Sequence, residues 1–212
     1  MRWKRPEDEK LVRFDEECEE CEEEEEETSH EEDKFQEKML KTRTILVSEA
    51  ISDELAKKVY QQLLVLEADS KEKPITVIVN SPGGEADSGF GIYDMLRFVD
   101  IPIQTIVAGL CASAGVMVFL GGDDGKRFTL PNSRFLLHQP SSQSYGQASD
   151  LQIASEEIVR LREQYNKIVA DVTGKDLETV TKDANRDFWL SATEAVDYGL
   201  AKKVVNSRQD IE

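Results

Sequence analysis

Three short segments combine residue types that could carry nucleophilic chemistry. Gly109-Leu110-Cys111-Ala112-Ser113-Ala114-Gly115 lies where an apolar strand pattern ends and a small, fully apolar run begins. A serine there sits beside backbone N–H groups that have no partner within a helix, and beside the positive end of the helix dipole. Both would stabilise an oxyanion forming next to it. The small neighbours admit a substrate backbone. An N-capping serine is the ordinary alternative. In Leu137-His138-Gln139-Pro140, His138 ends an apolar strand and Pro140 forces a turn. The chain has two histidines, and His30 lies in an acidic stretch. An imidazole base for a serine in the body therefore has to be His138; a core histidine bonded to backbone is the plainer alternative. Ser81-Pro82-Gly83-Gly84 closes a strand at its carboxyl end, where open α/β sheets hold ligands. Gly83 and Gly84 expose N–H groups without side chains in the way, so they are candidate anion or oxyanion donors. An ordinary tight turn uses the same residues.

These segments need elements to position them. Thr44 to Val47 reads as a short strand. Ile51, Leu55, Val59, Leu63 and Leu66 recur at helical spacing and predict an amphipathic helix. Ile75 to Val79 predicts a strand buried on both faces. Ile92, Met95, Leu96 and Val99 continue as a helix, Ile103 to Val107 as a strand, and Ala112 to Leu120 as a buried helix. Phe128 to Leu130 and Arg134 to Leu137 read as short strands around the Pro131-Asn132 turn. A long helix is expected over 148–172, roughly 37 Å at 1.5 Å per residue, with Gly174 as its stop signal. Ser191 and Glu194 form a capping box for the next short helix. Strands alternating with helices predict an α/β fold with a mainly parallel sheet.

The chain has 212 residues and a formal net charge of −17, but the charge is uneven. Residues 1–33 hold 17 acidic and 5 basic groups. Glu22 to Glu27 is an unbroken acidic run, so residues 1–33 are expected to be a disordered acidic tail and 34–212 the folded domain. An acidic protein repels phosphate backbones, which disfavours nucleic-acid binding. No run of 18 apolar residues indicates a membrane span, and Met1 to Lys10 lacks the apolar region of a secretory signal. Three cysteines give no disulfide framework, so a cytoplasmic location is expected. Cys18-Glu19-Glu20-Cys21 with His30 nearby has metal-like spacing, but no second cysteine pair follows to complete a site, and no metal is expected. Cys111 is expected to be a packing residue.

Taken together, the segments from about Lys34 to Val205 resemble the proteolytic subunit of the Clp protease. Asn80-Ser81-Pro82-Gly83-Gly84 resembles that family's oxyanion turn, and Ile92-Tyr93-Asp94 its next helix. Ala112-Ser113-Ala114-Gly115 resembles the nucleophile segment. Leu130-Pro131-Asn132-Ser133-Arg134 with His138-Gln139-Pro140 resembles the base segment. Gly146-Gln147-Ala148 with Asp150 resembles the start of the long handle helix. Arg186-Asp187, Leu190-Ser191-Ala192 and Tyr198-Gly199-Leu200 resemble the segment that bears the triad acid. The resemblance implies Ser113 as nucleophile, His138 as base and Asp187 as the acid that orients it. It implies that Gly83, Gly84 and Ala114 form the oxyanion and substrate-binding turn, Gly84 and Ala114 donating their N–H groups. It also implies a crotonase-like ββα superhelix, with the handle helix at a ring–ring contact. Subunits would self-associate into heptameric rings and a tetradecamer, alone or with a second isoform. The chain has no G-x-x-x-x-G-K-[ST] loop, so it needs no cofactor of its own. ATP would be used by a AAA+ unfoldase that feeds unfolded proteins to the chamber.

Departures from the family pattern are informative. An acidic tail stands where relatives have a pore-lining segment. Thr76 and Ile78 stand at two places where the partner-docking pocket often has tyrosines. Ser141-Ser142-Gln143 replaces a loop that often has two glycines. Asn185 sits where many relatives carry an acid that pairs with an arginine across the rings. The tail bears on pore gating and partner docking, Thr76 and Ile78 on affinity for the unfoldase, and Asn185 predicts a weaker ring–ring contact or dependence on a second isoform. The rival readings are a non-hydrolytic subunit of a mixed ring, a coenzyme-A enzyme of the same superfold, and a serine–lysine signal-peptide peptidase. The serine and histidine together favour peptide hydrolysis over the last two, since fold by itself does not separate them.

Overall fold

The computed structural model describes Phe35 and residues 37–211. The chain divides into two units, Met1–Lys38 and Met39–Glu212, and every element below belongs to the second. The acidic segment 1–33, with Cys18, Cys21 and His30, lies outside the described residues.

A strand β1 (Thr44–Val47) leads to helix α1 (Asp53–Asp69), strand β2 (Ile75–Ser81) and helix α2 (Ala86–Phe98). Strand β3 (Ile103–Ala112) runs into helix α3 (Ala114–Leu120), then strands β4 (Arg127–Thr129) and β5 (Arg134–Leu137). Helix α4 (Ala148–Thr173), helix α5 (Leu177–Asp183), strand β6 (Phe188–Ser191), helix α6 (Ala192–Tyr198) and strand β7 (Lys203–Val204) complete the order, with a 3-10 turn at Arg208–Ile211. The sheet path is β1-β2-β3-β4-β7, all parallel. β5 pairs parallel with β3, and β6 pairs antiparallel with β5. The mainly parallel α/β sheet is as the alternation of patterns predicts.

One face of the sheet meets α1, α2 and α3. Leu55, Val59, Leu63 and Leu66 form the buried stripe of α1, at about 1.5–3 kcal/mol for each large apolar side chain removed from water. Every residue of α3 is buried, which is why its sequence shows no amphipathic period. The helix starts at Ala114 rather than Ala112 because Ala112 is still paired, in β3, with Leu136 of β5. Likewise α1 starts at Asp53, capped by Ser52, while Ile51 forms a bridge with Gly84. The expectation that the Ile75–Val79 strand is buried on both faces does not hold. Thr76 and Ile78 are half-buried and line a groove with Gln104 and Ile106, because the described helices α1 to α3 pack on the opposite face. Arg127–Thr129, not Phe128–Leu130, forms β4. Elements α5, β6 and β7 are absent from the sequence reading.

α4 has 26 residues and ends at Gly174, whose left-handed backbone (φ 71°) donates its N–H to Ala170 O. Only Tyr165, Asn166, Val169 and Ala170 are buried along it, so its first half projects exposed apolar side chains such as Ile153. The capping box of Ser191 and Glu194 is formed.

The sheet changes partner midway along β3. Thr105–Val107 pair with β4, and Leu110–Ala112 pair with β5. The register against β2 slips at the same place, from Val79↔Val107 to Ser81↔Cys111. Two side chains hold this irregularity. Asn80 Oδ1 accepts from Leu110 N–H at 2.9 Å. The buried Ser133 hydroxyl donates to Val107 O at 2.9 Å and accepts from Gly109 N–H at 3.3 Å.

Ser133→Ala removes both of those bonds and leaves the Gly109 N–H without its partner. The expected cost is about 1–3 kcal/mol, read as a lowered midpoint in urea unfolding. A second expectation concerns acid. Hydrogen bonds from Thr179 hold the Asp176 carboxyl, and bonds from Ser191 hold that of Glu194, below the usual carboxylate range. Their stabilisation is complete above about pH 5, once the unfolded-state carboxyls are ionised, and is lost as pH falls through the lowered values. Thermal scans should show Tm falling on that acid limb, with a shallower fall in Asp176→Asn.

Candidate active site

The nucleophile candidate is built by the end of β3. Ser113 N–H donates to Leu136 O at 2.9 Å, and Ser113 O accepts from Val116 N–H at 2.9 Å. Between these anchors the serine has φ 53° and ψ −123°. A non-glycine residue in such a conformation carries about 1–3 kcal/mol of strain, sustained by buried packing on both sides. Phe119 of α3 meets Phe135 of β5 edge-on at 5.4 Å between ring centroids. Ser113 occupies the N-cap position of α3, but its side chain makes no cap hydrogen bond. The simple capping role is thereby excluded, and the hydroxyl is left for other work. A sharp strand-to-helix turn that lifts a serine out of the sheet is the geometry of a nucleophile elbow.

The candidate base and the candidate acid are brought together by strand register. β5 and β6 pair Leu137 with Phe188, so the next step outward sets His138 across from Asp187. Their side chains meet at 3.1 Å, Nδ1 to Oδ1. Gln139 closes the end of the pair: its N–H donates to Ala184 O at 2.8 Å, and its Nε2 donates to Asn185 O at 2.8 Å. A carboxylate on Nδ1 fixes the proton there and leaves Nε2 to act as base. His138 is 32% exposed and Asp187 65% exposed at their side chains. Water screens so open a pair, so orientation outweighs Coulomb attraction in what Asp187 supplies.

The glycine turn packs directly on the nucleophile. At Gly83 (φ 90°) a Cβ would lie 2.6 Å from Ser113 Cβ and 2.7 Å from Ala112 O, so only glycine fits. Gly83 does not serve as an anion donor, because its N–H donates to Ser81 Oγ at 3.2 Å, and that hydroxyl donates to Glu49 O at 2.6 Å. Gly84 is pinned by Ile51, which donates to Gly83 O and accepts from Glu85 N–H, each at 2.9 Å. A Cβ on Gly84 would strike Ile51 O.

Gly84, Ser113, Ala114 and His138 line one cavity of about 500 Å³. Ala114 is the first residue of α3, so its N–H has no acceptor within the helix. Phe90, Met117, Leu161 and Tyr165 give the cavity an apolar wall, and Asp53, Glu85 and Asp87 also line it. None of these seven lining residues was read from the sequence as part of the site, and Gln139 entered only as a neighbour of His138 in the base segment. Glu85 and Asp87 had one available signal: they lie within three residues after the glycine turn. Cys111 is fully buried, and burial pushes its thiol up, away from the reactive thiolate. Among the described residues no cluster of three or more potential ligands could hold a metal, and no helix is long and apolar enough to cross a membrane.

A parallel α/β sheet that delivers a strained serine to a cavity, beside a histidine–aspartate pair, defines the class as an α/β protein with the parts of a hydrolytic site. The family profile described as Clp protease matches residues 25–208. The ATP-dependent Clp protease proteolytic subunit 2 of Treponema denticola is 43% identical over 183 residues, covering 86% of this chain and 92% of that protein. The proteolytic subunit 3 of Rhizobium etli is 46% identical over 173 residues, covering 82% and 89%. A point variant of ClpP1 from Listeria monocytogenes superposes with a TM-score of 0.78 at 38% identity, over 84% of this chain and 99% of that one. The chain belongs to the Clp protease family, and its α/β architecture is the fold of that family's proteolytic subunit. Family membership supports a peptidase.

Gly83→Ala tests the close approach. A Cβ there must push Ser113 or the turn aside, and the left-handed backbone adds strain of about 1–3 kcal/mol. The expected result is a stability loss of at least that order by chemical denaturation, together with loss of Ser113 reactivity toward a fluorophosphonate.

Proposed function

We propose that this chain is a serine endopeptidase subunit of a self-compartmentalised, ATP-dependent protease that cleaves unfolded proteins. The observation that carries the reading is the 3.1 Å contact of His138 Nδ1 with Asp187 Oδ1, made by a histidine that shares its cavity with Ser113. Ser113 Oγ attacks the scissile carbonyl carbon while His138 Nε2 takes the hydroxyl proton. Asp187 holds the tautomer and stabilises the imidazolium. The N–H groups of Gly84 and Ala114 receive the oxyanion. Collapse of the tetrahedral intermediate breaks the C–N bond, and His138 returns its proton to the leaving amine. Water, deprotonated by His138, then hydrolyses the acyl-serine.

The rest of the proposal follows from what the chain leaves uncovered. The half-buried sheet face around Thr76 and Ile78, and the projecting first half of α4, expose apolar side chains of the kind that mark association surfaces. We take α4 as a ring–ring contact within heptameric rings and a tetradecamer in the cytoplasm, with a AAA+ unfoldase supplying ATP-driven unfolding. Asn185 in place of an acid weakens that contact or calls for a second isoform. A second reading, a subunit that is non-hydrolytic or activated only by a partner, is favoured by the exposure of Asp187.

A fluorophosphonate probe should label the native chain and not Ser113→Ala, alone or mixed with a candidate partner isoform. No labelling in any assembly would sink the catalytic reading and favour the structural one. Asp187→Asn should lower kcat by about 10⁴-fold, the loss typical of a wrong tautomer, with the fold intact by circular dichroism. Light scattering should show particles smaller than a tetradecamer at low protein concentration, and a stable homotetradecamer there would contradict the weakened ring contact.

A further inference from the structure

The cavity beside Ser113 is acidic on one side. Asp53, Glu85 and Asp87 line it, and among the described residues no lysine or arginine does. The three come from two helix starts: Asp53 from the first turn of α1, Asp87 from the first turn of α2, and Glu85 from that helix's N-cap. Acids at helix starts often serve the helix, yet the Glu85 side chain makes no cap hydrogen bond. The buried Ser88 hydroxyl lies 2.8 Å from Asp53 Oδ1 and 3.0 Å from Glu85 Oε2. Its single proton serves one of the two at a time, and the two carboxylates, from different helices, lie on either side of that one hydroxyl. No ion pair with a lysine or arginine neutralises any of the three among the described residues.

The cavity is a ligand site on separate grounds. Ser113 and His138 open into it. Tyr165, 5% exposed, lines it, and its hydroxyl has no hydrogen-bond partner among the described residues. Glu85 directly follows Gly84, one of the two N–H donors to the oxyanion. A peptide whose carbonyl sits at Gly84 therefore runs past these carboxylates. The three carboxylates are exposed to solvent at the cavity's edge, and a cleft lined by one sign of charge attracts the opposite charge and repels its own.

We propose that this cavity selects peptides carrying lysine or arginine within a few residues of the scissile bond, and disfavours acidic ones. The proposal rests on the peptidase reading of the same cavity and names its substrate class.

The test uses the full-length Ser113→Ala protein, so that binding is read without hydrolysis. Two fluorophore-labelled peptides of one scaffold, with lysines or glutamates flanking a central leucine, are titrated by anisotropy. The lysine peptide should bind about tenfold tighter at low salt, a ratio in keeping with several partly exposed charge pairs. The ratio should fall to about twofold near 1 M salt, where screening reaches about 3 Å. Adding Glu85→Gln and Asp87→Asn should bring the ratio close to one; Glu85→Gln alone should bring it partway and guards against misfolding of the double change. Equal binding of the two peptides, a ratio indifferent to those changes, or no binding of either at millimolar concentration overturns the proposal. Native protein assayed on the same peptides separates the two ideas. Cleavage without charge preference removes only the selectivity. A charge preference in binding without cleavage removes only the peptidase reading.

Discussion

The partner change along β3 is the constraint from which the site follows. A strand that kept β4 as its neighbour to the end would carry Ser113 away from the histidine. The slip at Gly109, pinned by Asn80 and Ser133, instead hands the last residues of β3 to β5. β5 ends at Leu137, so the same pairing that ends at Ser113 begins the segment of His138. β6 then completes the set, because its antiparallel register against β5 decides which residue faces that histidine. The segments of Ser113, His138 and Asp187 are thus made neighbours by two strand pairings.

The turn after β2 is the counterpart of that constraint. It lies against Ser113, and the approach leaves no room for a side chain at Gly83. Ser81 and Ile51 fix the turn from behind through Glu49 O, the Gly83 backbone and Glu85 N–H. Rigidity of this kind lets donors wait in place rather than reorganise during reaction.

Much of this was legible in the sequence, for identifiable reasons. Local signals were read correctly: the stripe of α1, the length of α4 with its Gly174 stop, and the Ser191–Glu194 box all depend on residues a few positions apart. Ser113 was visible as a candidate from its strand-to-helix junction and His138 as one of two histidines, but each had an ordinary structural alternative, and the family resemblance supplied their roles. Asp187 was not, since nothing local distinguishes one of 43 acidic residues; only family resemblance pointed to it, and the register of β5 against β6 accounts for its place. The Ile75–Val79 strand was misjudged because an unbroken β-branched run gives no alternation to read, while burial in fact alternates. Gly83 was taken as a donor from its type, when its N–H is held by the serine two residues before it.

The left-handed backbone of Ser113 bears on how such a chain evolves. Glycine would adopt that conformation freely, so exchanging Ser113 for glycine relieves the distortion while it removes the proposed nucleophile. Backbone stability and the proposed chemistry therefore pull this one position in opposite directions. A Ser113→Gly copy would lose the hydroxyl without losing the fold, and a serine at this place serves the proposed chemistry rather than folding.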